Sequence, residues 1–285
     1  MIAALLAATL AFTPADARLS MQVARGLVER HTPRDSGSYR SAAAASYLLN
    51  AVSAVGVDVR LDRFSVETPK GKKKFTNLEV EFKSNPEGEW VVLVSHYDTK
   101  PGTKCPGAND GASTSGLLAG LCNALLDWST PRGNILLVWT DGEECVEHYG
   151  EHDGLWGSRH VAKKLKDEGR KIKAVICLDM LGDRDLNIIV PSNGSPALRR
   201  IALYAAKKAG LQDVVRLSDD GVRDDHVPFL EQGFRSIDLI DFNYGSAPGR
   251  NDYWHTEQDT IDKISEESLL KAGRLVVSML TVLLV

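Results

Sequence analysis

The chain has 285 residues, 43% hydrophobic and 25% charged, enough apolar material for one large core and too much for a disordered chain. With 34 basic against 38 acidic residues the formal net charge is −4, so the overall charge gives no reason to expect a nucleic-acid partner. Beyond the amino terminus no stretch predicts a membrane span, because the apolar residues 269–285 are interrupted by Lys271 and Arg274 and read as a core-packed terminal helix.

In chain order, residues 2–12 are apolar and Ala15-Asp16-Ala17 forms an A-x-A site. These features read as an export signal, residues 1–17, with cleavage after Ala17 and a periplasmic or secreted product. The basic segment that usually precedes such a signal is missing, and an ordinary amino-terminal helix is the competing reading. Residues 18–285 read as a single catalytic domain, with no repeat, low-complexity tract or dividing linker. Segments 19–31 and 41–54 predict helices. Segments 57–66 and 76–82 predict strands, with Lys70-Gly71-Lys72-Lys73-Lys74 between them as a solvated hairpin tip rather than an anion site.

Buried strands are predicted at 90–95, 135–140 and 174–178, with further strands at 186–190 and 237–240. Helices are predicted at 113–126, 157–166, 195–209, 227–231 and 266–284. Apolar strands alternating with helices give an α/β fold: a three-layer αβα sandwich whose mixed, mostly parallel central sheet has helices on both faces. The four cysteines, Cys105, Cys122, Cys145 and Cys177, form no CxxC pair, which argues against a thiolate metal site. Cys122 and Cys177 lie in apolar runs and read as core thiols, whereas Cys145 directly follows Glu144 and is placed to line a site. A disulfide in an exported protein is compatible with these positions, its pairing left open.

The chemistry gathers where strands end. Val91-Val92-Leu93-Val94 runs into Ser95-His96-Tyr97-Asp98, and Asp110 follows in the small-residue loop Gly107-Ala108-Asn109-Asp110-Gly111-Ala112. The next strand runs into Asp141-Gly142-Glu143-Glu144. Another ends on Asp179, and the last leads to Tyr253-Trp254-His255. In an open α/β sheet, ligands bind at the carboxyl ends of strands. His96, Asp110, a glutamate, Asp179 and His255 at one edge describe a zinc centre with a spare carboxylate beside it. Asp98, two residues from His96 on a strand, leaves the same face and can orient the imidazole. Adjacent Glu143 and Glu144 can divide the work, one as ligand and the other as proton shuttle; two solvated loop glutamates are the bland alternative. Asp179 sits between Leu178 and Met180, an expensive place for an acid unless it is paired or metal-bound. His148 and His152 read as pocket rim rather than a second metal site, and His160 as structural. His226 lies near the site among acids that can satisfy it without metal.

At these residues the chain resembles the zinc exopeptidase superfamily that holds the bacterial zinc aminopeptidases and the glutaminyl cyclases. The resemblance rests on the order His96-x-Asp98, Asn109-Asp110-Gly111, Glu143-Glu144, Leu178-Asp179, His255, and extends from about residue 20 to the carboxyl end. In the aminopeptidases the matching positions hold two zinc ions, His96 and Asp179 contributing to the second and Asp110 bridging. In the cyclases one zinc is held, by the equivalents of Asp110, Glu144 and His255. The stretches 95–100, 154–160, 224–230 and 254–256 look more like glutaminyl cyclases, particularly the bacterial ones, with Trp254 before the last histidine. Departures are Ser95 and Ser115 where animal cyclases have a disulfide, Tyr149 where they have a pocket tryptophan, and Asp238 where they have a histidine.

The resemblance implies a zinc-dependent glutaminyl-peptide cyclotransferase that converts amino-terminal glutamine of peptides or proteins to pyroglutamate. Glu143 would be the proton shuttle, Asp179 and Asp224 hydrogen-bonding acids, and Trp254 and Tyr149 pocket walls. The alternative is a zinc aminopeptidase using the same residues, with Glu143 as base to a water. A catalytically dead adhesion or receptor domain is the third reading, opposed by the retention of the ligands and Glu143.

Overall fold

The computed structural model describes residues 10–126, 128 and 133–284. Two helices, α1 (Pro14–His31) and α2 (Tyr39–Ser53), precede the hairpin β1 (Arg60–Thr68) and β2 (Gly71–Phe82). Then come β3 (Trp90–His96), a broken wide helical turn (Ala108–Ser113), α3 (Thr114–Leu126), β4 (Asn134–Thr140), α4 (Trp156–Asp167) and β5 (Ile172–Asp179). The chain finishes with β6 (Ile188–Val190), α5 (Pro196–Ala209), β7 (Val215–Leu217), α6 (His226–Glu231), β8 (Ser236–Ile240) and α7 (Glu266–Leu284).

The strands form one 8-stranded sheet in the order β1-β2-β4-β3-β5-β8-β6-β7. Its centre, β4-β3-β5-β8, is parallel, and antiparallel pairings join β1 to β2, β2 to β4 and β6 to β8. Every residue of β3 and β4 is buried, the sign of a strand covered on both faces. Alternation then divides the side chains. Val91, Leu93, Leu137, Ile176 and Leu239 pack with α1, α2, α3, α5 and α7 on one face. Val92, Val94, Leu136, Val138 and Val175 pack on the other with Val161 and Leu165 of α4 and Phe229 of α6. The three-layer α/β sandwich predicted above is the observed architecture. Each aliphatic side chain so buried contributes roughly 1.5–3 kcal/mol relative to exposure, which makes the strand ends a rigid platform for chemistry.

Two local differences have clear causes. The basic segment is not the hairpin tip itself: the turn is Pro69-Lys70, and Lys72, Lys73 and Lys74 already pair with Glu67, Val66 and Ser65. Gly71, at φ 84, lets the chain reverse before them. The first helix begins earlier than expected and contains the anticipated cleavage position, Ala17, which is buried. Thr13 and Asp16 form a capping box, and Asn123 of α3 donates to Asp16 Oδ1 at 2.6 Å. Phe12 lies so close over Gly273 that a Cβ there would meet its ring at 2.2 Å. Residues 10–17 therefore have a place in the core that the leader reading did not foresee; residues 1–9 lie outside the described residues. The short β7 was not anticipated, since only Val215 of its three residues is buried and no alternation is visible. Among the described residues no helix is long and apolar enough to cross a membrane.

Removing residues 1–17 should lower the Tm of the purified chain, because it strips the α1 cap and the Phe12 contact. Phe12→Ala alone is expected to cost about 3 kcal/mol in denaturant unfolding.

Candidate metal centre

Five side chains converge where β3, β4 and β5 end. His96, the last residue of β3, is buried, and its Nε2 lies 3.1 Å from Asp110 Oδ1 and 3.2 Å from Asp179 Oδ1. His255 Nε2 lies 3.3 Å from Asp110 Oδ2 and 2.9 Å from Glu144 Oε1. Asp110 thus stands between two imidazoles, one on each carboxylate oxygen. The ligand atoms of His96, Asp110 and Asp179 lie within 4.8 Å of one another, as do those of Asp110, Glu144 and His255.

The supports for this convergence are buried polar groups. Asp98 Oδ1 and Oδ2 accept the backbone N–H groups of Glu143 and Glu144, each at 3.2 Å, and Oδ1 is 3.6 Å from His96 Nδ1. The expected role of Asp98 was orientation of the imidazole; its tighter contacts fix the loop carrying both glutamates. Asp259 accepts the N–H groups of Asn109 and Asp110 at 2.7 and 3.1 Å, and Tyr244 donates to it at 2.6 Å. Gly111, at φ 91, passes so near His96 that a Cβ would meet its Cε1 at 3.0 Å. His255 and Met180 hold positive φ values of 58 and 54, unusual for residues with side chains and found here on both sides of the cluster. Fully buried Arg34 ties the approach loops together by donating to the carbonyls of Tyr97, Pro106 and Gly107.

Electrostatics separates the carboxylates by role. Burial pulls the His255 imidazole down, but the carboxylates of Asp110 and Glu144 beside it outweigh burial and raise its pKa to about 10. Burial is likewise outweighed at His96, where Asp110, Asp179 and Asp98 hold the proton well above the usual range. Asp110 is held well below the carboxylate range: burial opposes ionisation, but the two histidines prevail. Glu143 is different. Burial and then the charge of Glu144 push its carboxyl well above the ordinary value, with Asp224 and Asp225 adding to this against the pull of His96. Asp179 is raised to about 6 and Asp224 to about 7, in both cases chiefly by burial.

The donor set fits a divalent cation. Two imidazole nitrogens face crowded carboxylates, and Asp110 Oδ2 is buried without a hydrogen-bond donor. A cation among them would replace the two histidine protons and satisfy that oxygen; imidazole and carboxylate ligands suit zinc.

Beside this cluster is a cavity of about 270 Å³ lined by Glu143, Tyr149, Asp179, Asp224, Ile240, Phe242, Trp254 and His255, among others. It lies at the small end of ligand pockets, sized for a single side chain rather than a peptide. Trp254 stacks on the His255 ring at 3.8 Å and meets Phe242 edge-on at 5.0 Å, so one aromatic ring is both wall and brace. The Tyr149 hydroxyl lies 3.0 Å from Glu143 Oε2 and 3.1 Å from Glu144 Oε2, and its single proton serves one of them at a time. Lys100 braces this tyrosine, with its Nζ 5.3 Å from the ring centroid.

Several sequence expectations sort differently in space. Of the loop read as pocket rim, Tyr149 reaches the cavity, while His148 and His152 line a separate shallow depression with Pro69 and Asp153. Cys145 is not among the cavity-lining residues; its thiol faces Lys100 Nζ at 2.7 Å. All four cysteines are buried and free. Ser95 and Ser115 bond to Thr114 Oγ1 and to the His96 carbonyl, each at 2.8 Å. His160 stacks on Phe64 at 4.1 Å, away from the centre. His226 is buried at the start of α6, outside the cavity lining. The cavity residues Phe242, Val222 and Arg223 were not singled out from the sequence, nor was Arg34. Phe242 follows the end of β8 and Val222 and Arg223 directly precede Asp224, but none of the three has a ligating or proton-carrying group for a sequence pattern to mark, and Arg34 follows α1 with no motif around it.

Residues 77–280 match peptidase family M28, and the chain belongs to that family. Within it the likeness runs to the glutaminyl cyclases. The crystal structure of the glutaminyl cyclase of an Acidobacteriales bacterium shares 33% identity at a TM-score of 0.88, covering 100% of this chain and 99% of that one. The glutaminyl-peptide cyclotransferase of Drosophila melanogaster is 28% identical, over 81% of this chain and 72% of its own. A Bacteroides thetaiotaomicron structure described as a leucine aminopeptidase precursor superposes at a TM-score of 0.82 over 96% of this chain and 99% of its own, with 23% identity. That last likeness shows the fold alone.

Asp259→Ala should leave the ligand side chains in place but release the Asn109–Asp110 backbone. Its affinity for zinc, measured by competition with a chromophoric chelator, is expected to fall roughly 10–100-fold.

Proposed function

We propose that this chain is a zinc-dependent glutaminyl-peptide cyclotransferase that closes amino-terminal glutamine to pyroglutamate and releases ammonia. The observation that carries this reading is Glu143. It faces the cavity, belongs to neither ligand cluster, and has a carboxyl that burial and the charge of Glu144 raise well above the ordinary value, as a group that holds and returns a proton requires. The likeness to glutaminyl cyclases and the small aromatic cavity support the same reading.

Zinc held by Asp110, Glu144 and His255 would supply the Lewis-acid charge that polarises the γ-carboxamide oxygen of the substrate. The protein's own residues do the rest. Trp254, Phe242 and Ile240 enclose the glutamine methylenes and turn the side chain back toward its own α-amine. The α-nitrogen attacks the γ-carbon; the new C–N bond closes a five-membered ring and the bond to the amide nitrogen breaks. Glu143 accepts the proton from the α-amine and delivers it to the departing nitrogen, so that ammonia leaves and Glu143 regains its starting state. Asp179 and Asp224 accept hydrogen bonds from the amine and amide groups in transit. Because nucleophile and electrophile belong to one residue, folding it correctly in a tight cavity accounts for much of the acceleration. No water is consumed, which suits a pocket walled by aromatic rings.

One observation favours a second reading. His96 and Asp179 complete another three-residue cluster with Asp110, the arrangement a dinuclear aminopeptidase would need, with Glu143 as base to an attacking water. Incubation with a Gln-initiated peptide separates the two: cyclisation lowers the peptide mass by one ammonia, whereas peptidase action removes a whole residue. Two tightly bound zinc ions per chain, together with residue loss, would overturn the cyclase reading.

Glu143→Gln should retain zinc and lose roughly 10²–10⁴-fold in kcat; near-normal turnover would remove Glu143 from the proton path. Trp254→Ala should raise KM for Gln-initiated peptides by roughly tenfold or more through lost apolar contact.

A further inference from the structure

β8 carries an acid, Asp238, to which the reaction above gives no role. It lies opposite Cys177 in the parallel pairing of β8 with β5, and it is completely buried. Neither of its carboxyl oxygens has a hydrogen-bond donor among the described residues. An ionised carboxylate in that condition is among the costliest groups a protein can bury. The groups facing it make matters worse. Asp224 and Asp225 approach from the loop before α6 and Asp179 from the end of β5, and Cys177 is beside it. The adjacent His226 brings no positive charge: both ring nitrogens are buried without partners, and burial lowers its pKa to about 4.

The neighbours also show where a proton on Asp238 would go. Asp225 turns Oδ2 to Thr140, accepting from its Oγ1 at 2.6 Å, leaves Oδ1 buried without a donor, and acts on Asp238 only through its charge. The Asp224 carboxyl lies within hydrogen-bonding reach of Asp238, accepts the Asp225 backbone N–H, and faces the cavity. Two buried carboxyls in contact share one proton, because both cannot ionise.

We propose that Asp238 is a neutral carboxylic acid that donates its O–H to Asp224, and is thereby the positioning residue that keeps the Asp224 carboxylate ionised and turned toward the substrate. Burial, then the charges of Asp224 and Asp179, holds the Asp238 carboxyl well above the usual range, in agreement with this arrangement. Burial and the charge of Asp179 raise the Asp224 pKa to about 7, against the Asp225 N–H, the charge of His96 and the hydrogen bond from Asp238, which all lower it. Loss of the donor therefore raises the Asp224 pKa further, and activity that needs ionised Asp224 disappears at a higher pH.

The assay rests on the proposed cyclisation, so a readout independent of turnover accompanies it. The infrared difference spectrum of the zinc-loaded full chain, wild type minus Asp238→Asn, should show a protonated-carboxyl carbonyl band that shifts in heavy water and is lost in Asp238→Asn, whereas bands of other buried carboxyls such as Glu143 cancel in the difference. Asparagine keeps an N–H donor for Asp224, and this variant should retain the wild-type acid limb of the pH–kcat profile. Asp238→Leu, of similar size but without a donor, should move that limb alkaline by about one pH unit, a tenfold change in proton affinity. Persistence of the band in Asp238→Asn, or an unmoved acid limb in Asp238→Leu, overturns the proposal. Equal losses in both variants with an unmoved limb also overturn it, since that is the behaviour of a packing residue. If no Gln peptide is cyclised while the band vanishes in Asp238→Asn, the cyclase reading fails and the acid pair stands. The pH profiles are then measured on amino-terminal hydrolysis.

Discussion

Asp110 stands between His96 and His255, with one carboxylate oxygen directed to each imidazole, and everything else at the site is arranged around keeping it there. Its own contacts would be repulsive without positive charge: Glu144 and Asp179 close the same cluster, and Glu143 lies just beyond. A buried concentration of acids is tolerable only when protons or a cation compensate it. The two histidines provide that compensation as imidazolium, or pass the task to a metal when they become ligands. This requirement explains why the backbone near the centre is so heavily bonded. Asp98 holds the N–H groups of the glutamate loop, Asp259 those of the aspartate loop, and Arg34 ties the connecting segments by its guanidinium.

That bracing lets two neighbouring glutamates differ. Glu144 faces His255 and is bound to the cluster; Glu143 faces the cavity, where burial and the charge of Glu144 raise its affinity for a proton. The same loop thus turns one carboxyl to the histidine–carboxylate cluster and the next to the cavity, the placement the proposed ligand and proton carrier need. The cavity completes the division by admitting a single side chain against Trp254 and Phe242, while the acids beyond Glu143 form an outer layer. In that layer charge must be reduced rather than multiplied, which is where a proton shared by Asp224 and Asp238 belongs.

Much of the fold was legible because the central strands are continuous apolar runs ending in polar residues, and the helices between them carry their own periodicity. His96, Asp110, Glu143, Glu144, Asp179 and His255 were legible for the same reason: each follows a strand or a small-residue loop, and strand ends in a parallel sheet meet at one edge. Arg34 was not, since it lies after α1 with no pattern around it and acts through backbone carbonyls distant in sequence. Asp98 was only half read. Spacing on the strand put it beside His96, but its tighter bonds run to residues 45 and 46 positions away. The start of α1 was placed too late, at Leu19, and it is the capping box at Thr13 and the packing on α3 and α7 that take the helix back to Pro14.

The sequence by itself determined the alternation of strands and helices, the residue types of the two candidate ligand clusters and the presence of a spare glutamate, since these depend on local patterning and residue chemistry. Tertiary structure decided which glutamate turns to the cluster and which to the cavity, and that Tyr149 alone of its loop reaches the pocket. It also decided that Asp224 meets Asp238 across two separate elements. Those outcomes depend on side-chain direction and burial, and both are set only when distant segments pack against one another and exclude water.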